Sequence, residues 1–422
     1  MTAWNPENVR QDFVLLQNTD RVYFDNAATS QKPACVLQAA QEFYESYNAN
    51  VLRGLYPLSV EATERYEAAR TTVQQFIHAA APEEIIFTRN TTESINLVAY
   101  SYGLSHLKAD DEIVVSILEH HSNLLPWQMV ARMTGAKLVY LECDPDGTIS
   151  KERMDAAFSD HTKLVAIGMV SNVLGCVNPV AELVKRARQC GAVILMDAAQ
   201  GAPHMAVDVQ ALDVDFMAFS GHKMLAPMGI GVLYGKKELL ESMPPFLTGG
   251  EMIETVSRYD ATYAELPHKF EAGTVNAGGA VALAEAIRYL QKLGMSNVQQ
   301  AEQELTEYLL RGMQSIPHIH VLGSEQAENH TGIVAFTVDQ VHPHDISEIL
   351  SSDGMDIRAG HHCAEPLHQY LGIHSSARAS VMFYNTKEEA DRFLESVSNI
   401  RRRMGYGKYF NKCHHSEYKT FS

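Results

Sequence analysis

The sequence predicts an α/β fold, a mainly parallel sheet with helices on both faces. Three observations carry the prediction. Strand-like apolar runs alternate with amphipathic helical runs from about residue 85 to 235, which is the pattern of βαβ units. The composition, 46% hydrophobic and 20% charged over 422 residues, is that of a soluble globular chain with a sizeable core and room for two or three domains. A second, shorter strand-helix-strand unit follows nearer the C-terminus.

The elements read off in order. "EIIFT" precedes the helical "ESINLVAYSYG", "EIVVS" precedes "NLLPWQMVARMTG", and "KLVAIGMV" precedes "VAELVKRARQCG". "AVILMDAAQ" and "DFMAFSGHK" are further strands, and "GIGVLYG" adds one more to the same sheet. From about residue 245 "PPFLTGGEMIETVSRYDATYAELP" has no sustained period and reads as a long irregular connection, a kind of segment that is often functional. "GGAVALAEAIRYLQKLG" and "NVQQAEQELTEYLLRGMQSI" are long helices. "GIVAFTV", "HDISEILSSDG" and "MDIRAG" form the second unit, and "EEADRFLESVSNIRRRMG" is the last helix. The tail from Tyr406 carries no apolar period and is expected to be mobile.

Composition also excludes function classes. A formal charge of −17 repels phosphate backbones, so a nucleic-acid role is not expected. Arg401, Arg402 and Arg403 read as the solvated face of the last helix. No apolar stretch is long enough to cross a bilayer, and the N-terminus shows no signal peptide. Cys35, Cys143, Cys176, Cys190, Cys363 and Cys413 form no C-x-x-C pair and suggest no disulfide framework, which fits a reducing cytoplasm.

Asp197 ends one predicted strand and Lys223 the next. In a parallel sheet ligands sit beyond the carboxyl ends of strands, so both side chains are aimed into one crevice. That pair suits pyridoxal phosphate: the lysine holds the aldehyde as a Schiff base and the aspartate keeps the pyridinium nitrogen protonated. The bland alternative for Lys223 is a surface lysine, but Ser220 and His222 beside it are both phosphate-binding types. In "TRNTTESINLV", Asn90 caps a helix with Glu93 as its boxed partner, and Thr91 and Thr92 fall in the first turn, where an anion is favoured. His120 and His121 follow a core strand, where one of them can stack on a cofactor ring and move protons.

In "RAGHHCAEPL" three readings of Cys363 compete: a metal site, a reactive thiol, or an inert buried residue. Adjacent side chains point in different directions and no C-x₂₋₄-C spacing supports them, which weighs against zinc at His361, His362 and Cys363. A helix beginning just after the cysteine, with imidazoles beside it, favours a thiolate. The inert reading is kept for Cys143, Cys176 and Cys190.

"DNAAT", "TRNTTESINLVA", "EHHSNLLPWQ", "VSNVLG", "MDAAQ", "FSGHK", "GGEMI", "FEAGTVN", "RAGHHCAEPL" and "RAS", in this order, resemble the cysteine desulfurases of the SufS/CsdA type, over about residues 20 to 405. These are fold-type I pyridoxal phosphate enzymes of the class V aminotransferase superfamily. The resemblance implies a mainly parallel seven-stranded sheet with helices on both faces plus a smaller α+β C-terminal domain. It implies a large domain at 20–265, a small one from 1–19 and 280–408 carrying the catalytic cysteine, and a mobile tail at 409–422.

The resemblance implies these roles: Lys223 the Schiff-base lysine, Asp197 the pyridinium partner, Gln200 the contact to the ring hydroxyl, and Thr92, Ser220 and His222 the phosphate ligands. Thr274 is similar to the threonine that reaches the neighbouring subunit's phosphate, so a homodimer is implied. His120 matches the ring-stacking acid/base, Asn172 and Arg378 the substrate carboxylate ligands, and Cys363 the nucleophile. The implied reaction converts L-cysteine to L-alanine with a persulfide on Cys363, whose sulfur passes to a SufU- or SufE-type acceptor for iron–sulfur cluster assembly. Selenocysteine lyase, cysteine sulfinate desulfinase and a non-catalytic sulfur-relay scaffold are the alternatives. Leu52 stands where many members have a histidine, Met228 lies in an altered "LAPMGIG", and Val275 replaces a common proline.

Two histidine groups remain. In "VHPHDISEIL", Asp345 is expected to cap a helix with Glu348, leaving His342 and His344 on the turn before it. By resemblance to the Gram-positive desulfurases, His342 is expected to coordinate the acceptor's zinc, with His344 a bystander. The tail residues Cys413, His414 and His415 form a short Cys/His tract expected to bind metal only adventitiously.

Overall fold

The computed structural model describes residues 5–406, so Cys413, His414 and His415 lie outside the described residues. A seven-stranded sheet forms the centre of the molecule. Its strands are β1 (Ile85–Thr88), β2 (Glu112–Ser116), β3 (Lys137–Leu141), β4 (Thr162–Gly168), β5 (Val193–Asp197), β6 (Phe216–Ser220) and β7 (Gly231–Gly235). They lie side by side in the order β1-β7-β6-β5-β4-β2-β3. Only β7 runs against its neighbours. The central strands are apolar along their whole length because both faces are covered: Ile194, Leu195, Met196, Met217, Ala218 and Phe219 are fully buried.

The covering helices follow from local signals. α1 (Ala34–Glu42) and α2 (Pro57–Phe76) precede the sheet in sequence, and α2 takes a proline at its start, where no intrahelical N–H is needed. α3 (Thr91–Val98) starts at Asn90, whose side chain accepts the Glu93 N–H at 2.9 Å. Glu93 reaches back to the Arg89 N–H, so the expected box closes one residue early. α4 (Leu125–Thr134) and α5 (Val180–Cys190) end at Gly135 (φ +78°) and Gly191 (φ +66°), left-handed positions suited to glycine. α6 (Ala277–Leu293) packs across α1 and α2, and α7 (Met295–Gln314) continues from it.

The segment around 245–267 is less irregular than expected. It contains a hairpin of β8 (Ile253–Val256) and β9 (Ala261–Tyr263), with Val256 and Tyr259 largely exposed. A second sheet, antiparallel throughout, is built from β10 (Ile319–Val321), β11 (Ile333–Val338), β12 (Arg358–Gly360) and β13 (Ser376–Ser380) in the order β10-β11-β13-β12. It packs with α8 (Pro343–Ser352) and α10 (Lys387–Arg403), while α9 (Glu365–Tyr370) follows Cys363 directly. No helix among the described residues is long and apolar enough to cross a membrane.

The cap of α8 differs from expectation. Proline is tolerated in the first helical turn and favoured at its first position, and here the helix begins at Pro343 with His342 as the capping residue. His342 Nδ1 accepts the His344 N–H at 3.3 Å. Asp345 sits inside the first turn, and His344 is helical rather than on a preceding turn.

A candidate cofactor and thiol cleft

A cleft of about 250 Å³ lined by many polar side chains lies at the carboxyl ends of β4, β5 and β6, closed from the other side by the β12 and β13 region. Asp197 ends β5 and is buried, with Oδ1 accepting the Ala199 N–H at 2.9 Å. Burial raises its carboxyl, while that N–H and the Lys223 charge oppose the rise. Lys223 follows β6, and burial pulls its amine down to about 8. Asp197 and Cys363 push that amine up and Arg378 pushes it down, so all three are felt at one nitrogen.

His120 follows β2, and burial together with the Lys223 charge pushes its ring down to about 3, so it is neutral. His120 Nδ1 accepts the Ser122 N–H at 3.1 Å, which puts the ring proton on Nε2. Glu119, buried behind it, accepts from Ser116 Oγ at 2.5 Å, Asn123 Nδ2 at 2.6 Å and the Gly168 N–H at 3.0 Å. Burial raises Glu119 to about 7 against those three donors.

At the expected anion end, Ser220 Oγ accepts the Thr91 N–H at 2.8 Å, and the hydroxyls of Thr92 and Ser122 lie 2.7 Å apart. His222 is held near 4 by burial and by the Lys223 and Lys32 charges. Gln200 Nε2 donates to the Ala27 carbonyl at 2.7 Å.

The thiol arrives on a strained turn. Gly360 (φ +128°), His362 (φ +51°) and Cys363 (φ +56°) take positive φ within four residues, and such conformations cost about 1–3 kcal/mol each for non-glycine residues. The surroundings overdetermine the turn. The Asn172 amide donates to the His362 carbonyl at 2.7 Å, and the His121 N–H to the Cys363 carbonyl at 2.7 Å. The Glu365 N–H donates to His121 Nε2 at 3.1 Å. Cys363 itself is exposed. His362 is buried, its ring lowered to about 2 mainly by burial, with Nε2 lying 3.1 Å from the Ser376 hydroxyl.

Arg378, on β13, is buried and donates to the Asn172 carbonyl at 2.7 Å. Asp25 lies 3.6 Å from Arg378 and 2.9 Å from Arg358. Burial pulls Arg378 to about 10 with Asp25 opposing, so the guanidinium is charged at neutral pH.

A planar, phosphorylated aldehyde fits this donor set. Buried polar atoms almost always have partners, yet Gln200 Oε1, His222 Nδ1, His362 Nδ1 and Arg378 Nε have none, and all four belong to residues lining the cleft. No group of three metal-ligating side chains occurs among the described residues, so His361, His362 and Cys363 are not arranged around one ion.

The cleft therefore unites Lys223, Asp197, Gln200, Thr92, Ser220, His222, His120, Asn172, Arg378 and Cys363. It does not include Thr274, which is exposed and lines a separate cavity with Arg89 and Asn276. His342 is exposed at the N-cap of α8. Leu52 adopts φ +75° and packs on the core, Met228 is exposed, and Val275 lines the Thr274 cavity. Sequence reasoning missed Glu119, Asp25, Arg358 and Lys32. Asp25 opens "DNAAT", Glu119 opens "EHHSN" and Arg358 opens "RAGHHCAEPL", so these three lie in motifs quoted above, whereas Lys32 lies three residues beyond "DNAAT".

The aminotransferase class-V family model matches residues 22–393. A curated relative from Synechocystis described as a probable cysteine desulfurase is 50% identical over 92% of this chain and 94% of its own length. A solved cysteine desulfurase from Thermococcus onnurineus NA1 superposes with TM-score 0.91 at 42% identity, covering 96% of this chain and 100% of that one. The cysteine desulfurase CsdA of Escherichia coli gives TM-score 0.88 at 38% identity, covering 95% and 100%.

Proposed function

The chain belongs to the class-V aminotransferase family and is a pyridoxal phosphate-dependent cysteine desulfurase, and from that premise we propose that Lys223 holds the cofactor and Cys363 carries the sulfur. The observation that carries the assignment is the convergence of Lys223, Asp197, Arg378 and Cys363, from two sheets, on one cleft.

Bound there, pyridoxal phosphate supplies an electron sink for the Cα carbanion of the amino acid. Asp197 stands to hold a proton on the ring nitrogen, Gln200 to meet the ring hydroxyl, and Thr92, Ser220 and His222 to ligate the phosphate. Arg378 and Asn172 orient the substrate carboxylate, a task for which a guanidinium fork is suited. Lys223 Nζ, whose amine burial lowers to about 8, would serve as the base that takes the Cα proton. The neutral His120 would face the bound cofactor from the cleft wall, with its Nε2–H available to donate. The Cys363 thiolate attacks the substrate sulfur, the carbon–sulfur bond breaks, and its electron pair stays on the carbon that is protonated to alanine. The sulfur remains on Cys363 as a persulfide. Conversion of L-cysteine to stoichiometric alanine, with one added sulfur on Cys363 by mass spectrometry, tests the reading. Alanine formation with an unmodified Cys363 would overturn it.

The same reading extends outward. Residues 20–265 act as the cofactor lobe, and 1–19 with 280–408 as the lobe that presents the thiol. The protein works as a homodimer in which Thr274 completes the partner subunit's phosphate site; its exposure outside this chain's own cleft supports this. A fully active monomer in sedimentation would contradict it. The sulfur goes to a SufU- or SufE-type acceptor for iron–sulfur cluster assembly in the cytoplasm. Toward a zinc-bearing acceptor, His342 is the ligand. Its one lone pair now accepts the His344 N–H at a long 3.3 Å, so ligation exchanges a weak capping bond for a metal bond.

A further inference from the structure

The carbonyl oxygen of His222, the residue before Lys223, is reached by four donors. They are the Ser30 N–H at 3.1 Å, the Thr29 hydroxyl at 3.0 Å, the Ser30 hydroxyl at 3.2 Å and the Lys32 ammonium at 3.0 Å. A carbonyl oxygen has two lone pairs, so this crowding goes beyond ordinary satisfaction. All four donors come from residues 29–32. Ser30 Oγ also accepts the Leu225 N–H at 2.9 Å, and Leu225 has φ +68°. One short turn thus grips the backbone on both sides of Lys223.

Lys32 is the charged member of that grip. Its three N–H groups meet the His222 carbonyl, the Ser30 carbonyl and Thr29 Oγ1. None of these is a carboxylate, and burial alone lowers the ammonium to about 8. A half-buried cation satisfied only by neutral acceptors lacks its counter-charge. Lys32 does not itself line the cleft, but the carbonyl it grips belongs to His222, which does line it and is among the residues expected to hold the phosphate. The Lys32 charge is already felt at the His222 ring, whose Nδ1 is unpartnered.

We propose that Lys32 is a positioning residue that clamps the His222–Lys223 peptide and complements the cofactor phosphate from behind it, so fixing where Lys223 Nζ points. The inference rests on the reading of Lys223 and His222 given above.

The test uses purified holoenzyme carrying Lys32→Met, which keeps an unbranched stem and removes the three donors, beside Lys32→Arg and Thr29→Val. The readouts are release of cofactor into cofactor-free buffer, the pH titration of the bound cofactor's absorbance band, and kcat against KM for cysteine. Loss of a charge-assisted bond predicts release faster by about tenfold to hundredfold in Lys32→Met. The band titration should shift, and kcat should fall with KM little changed. Lys32→Arg should recover most of each. Thr29→Val should move the same readouts in the same direction by less, and it carries the test if Lys32→Met does not fold. Release and band titration like wild type would overturn the inference, whatever happens to the melting temperature. Lys223→Ala separates the two readings. If it loses the band while Lys32→Met behaves as wild type, only the Lys32 inference falls. If it keeps the band, the site assignment and the inference fall together.

Discussion

The side-chain amide of Asn172 donates to the backbone carbonyl of His362 at 2.7 Å, tying the loop after β4 to the turn that carries Cys363. The Asn172 carbonyl in turn accepts from Arg378. One residue thus links the group expected to hold the substrate carboxylate to the backbone beside the proposed nucleophile, Cys363.

Asn172→Asp replaces that donor by a carboxylate facing a carbonyl. The expected cost is about 1–3 kcal/mol or more at the buried carbonyl. Persulfide formation should slow by about tenfold to hundredfold, the rate equivalent of that cost. Asn172→Ala should be less impaired than Asn172→Asp. Single-turnover measurement of sulfur on Cys363 decides it, and equal rates for both variants and wild type would refute the coupling.

Cys363→Ala should retain the cofactor band and bind L-cysteine, and should form no persulfide. Selenocysteine turnover should be reduced less, because its weaker carbon–selenium bond and lower pKa ask less of the nucleophile. Parallel assays of alanine release from the two substrates check this. Normal cysteine turnover by the variant would remove the thiol from the mechanism.

Incorporation of pyridoxal phosphate into cofactor-free protein requires Lys223 as the neutral amine. Its value of about 8, against the ordinary 10.5, makes the ammonium dominant below pH 8 and the amine dominant above it. The rate of band formation should therefore rise about tenfold per pH unit up to that point and level off above it. Arg378→Ala, which removes a charge that lowers the amine, should move the midpoint to higher pH. Asp197→Asn should move it lower. A wild-type midpoint near 10.5 would show that burial does not act as described.

His342→Ala should keep the slow release of sulfide to small thiols and lose stimulation by a zinc-bearing acceptor. The helix it caps should lose about 0.5 kcal/mol, the low end for a lost N-cap, because the capping bond is long. Thermal unfolding of the isolated protein measures the cap, and turnover with acceptor measures the ligand. Undiminished stimulation in the variant would reject the zinc role.

The sheet was legible because β4, β5 and β6 are buried on both faces and read as unbroken apolar runs, and because Asp197 and Lys223 sit where such runs stop. The anion end was legible from Asn90 and the threonines after it. The α8 cap was misread because the rule for Asp345 and Glu348 was applied without the stronger constraint that Pro343 starts the helix. The β8–β9 hairpin was missed because its exposed faces carry no apolar alternation. Lys32 and Asp25 were passed over because their partners are a carbonyl 190 residues away and an arginine 333 residues away, which no local pattern reveals.

The turn bearing Cys363 is held by bonds to His121 and Asn172, with two consecutive residues locked in left-handed backbone. A thiol so tethered has almost no reach of its own. On the reading proposed above, a sulfur held there is not carried outward on a swinging arm, so a recipient would have to bring its own reactive group to the mouth of the cleft. Turnover with such a recipient would then be paced by encounters at that mouth, and a surface change that hinders docking there would slow the cycle without touching the chemistry inside.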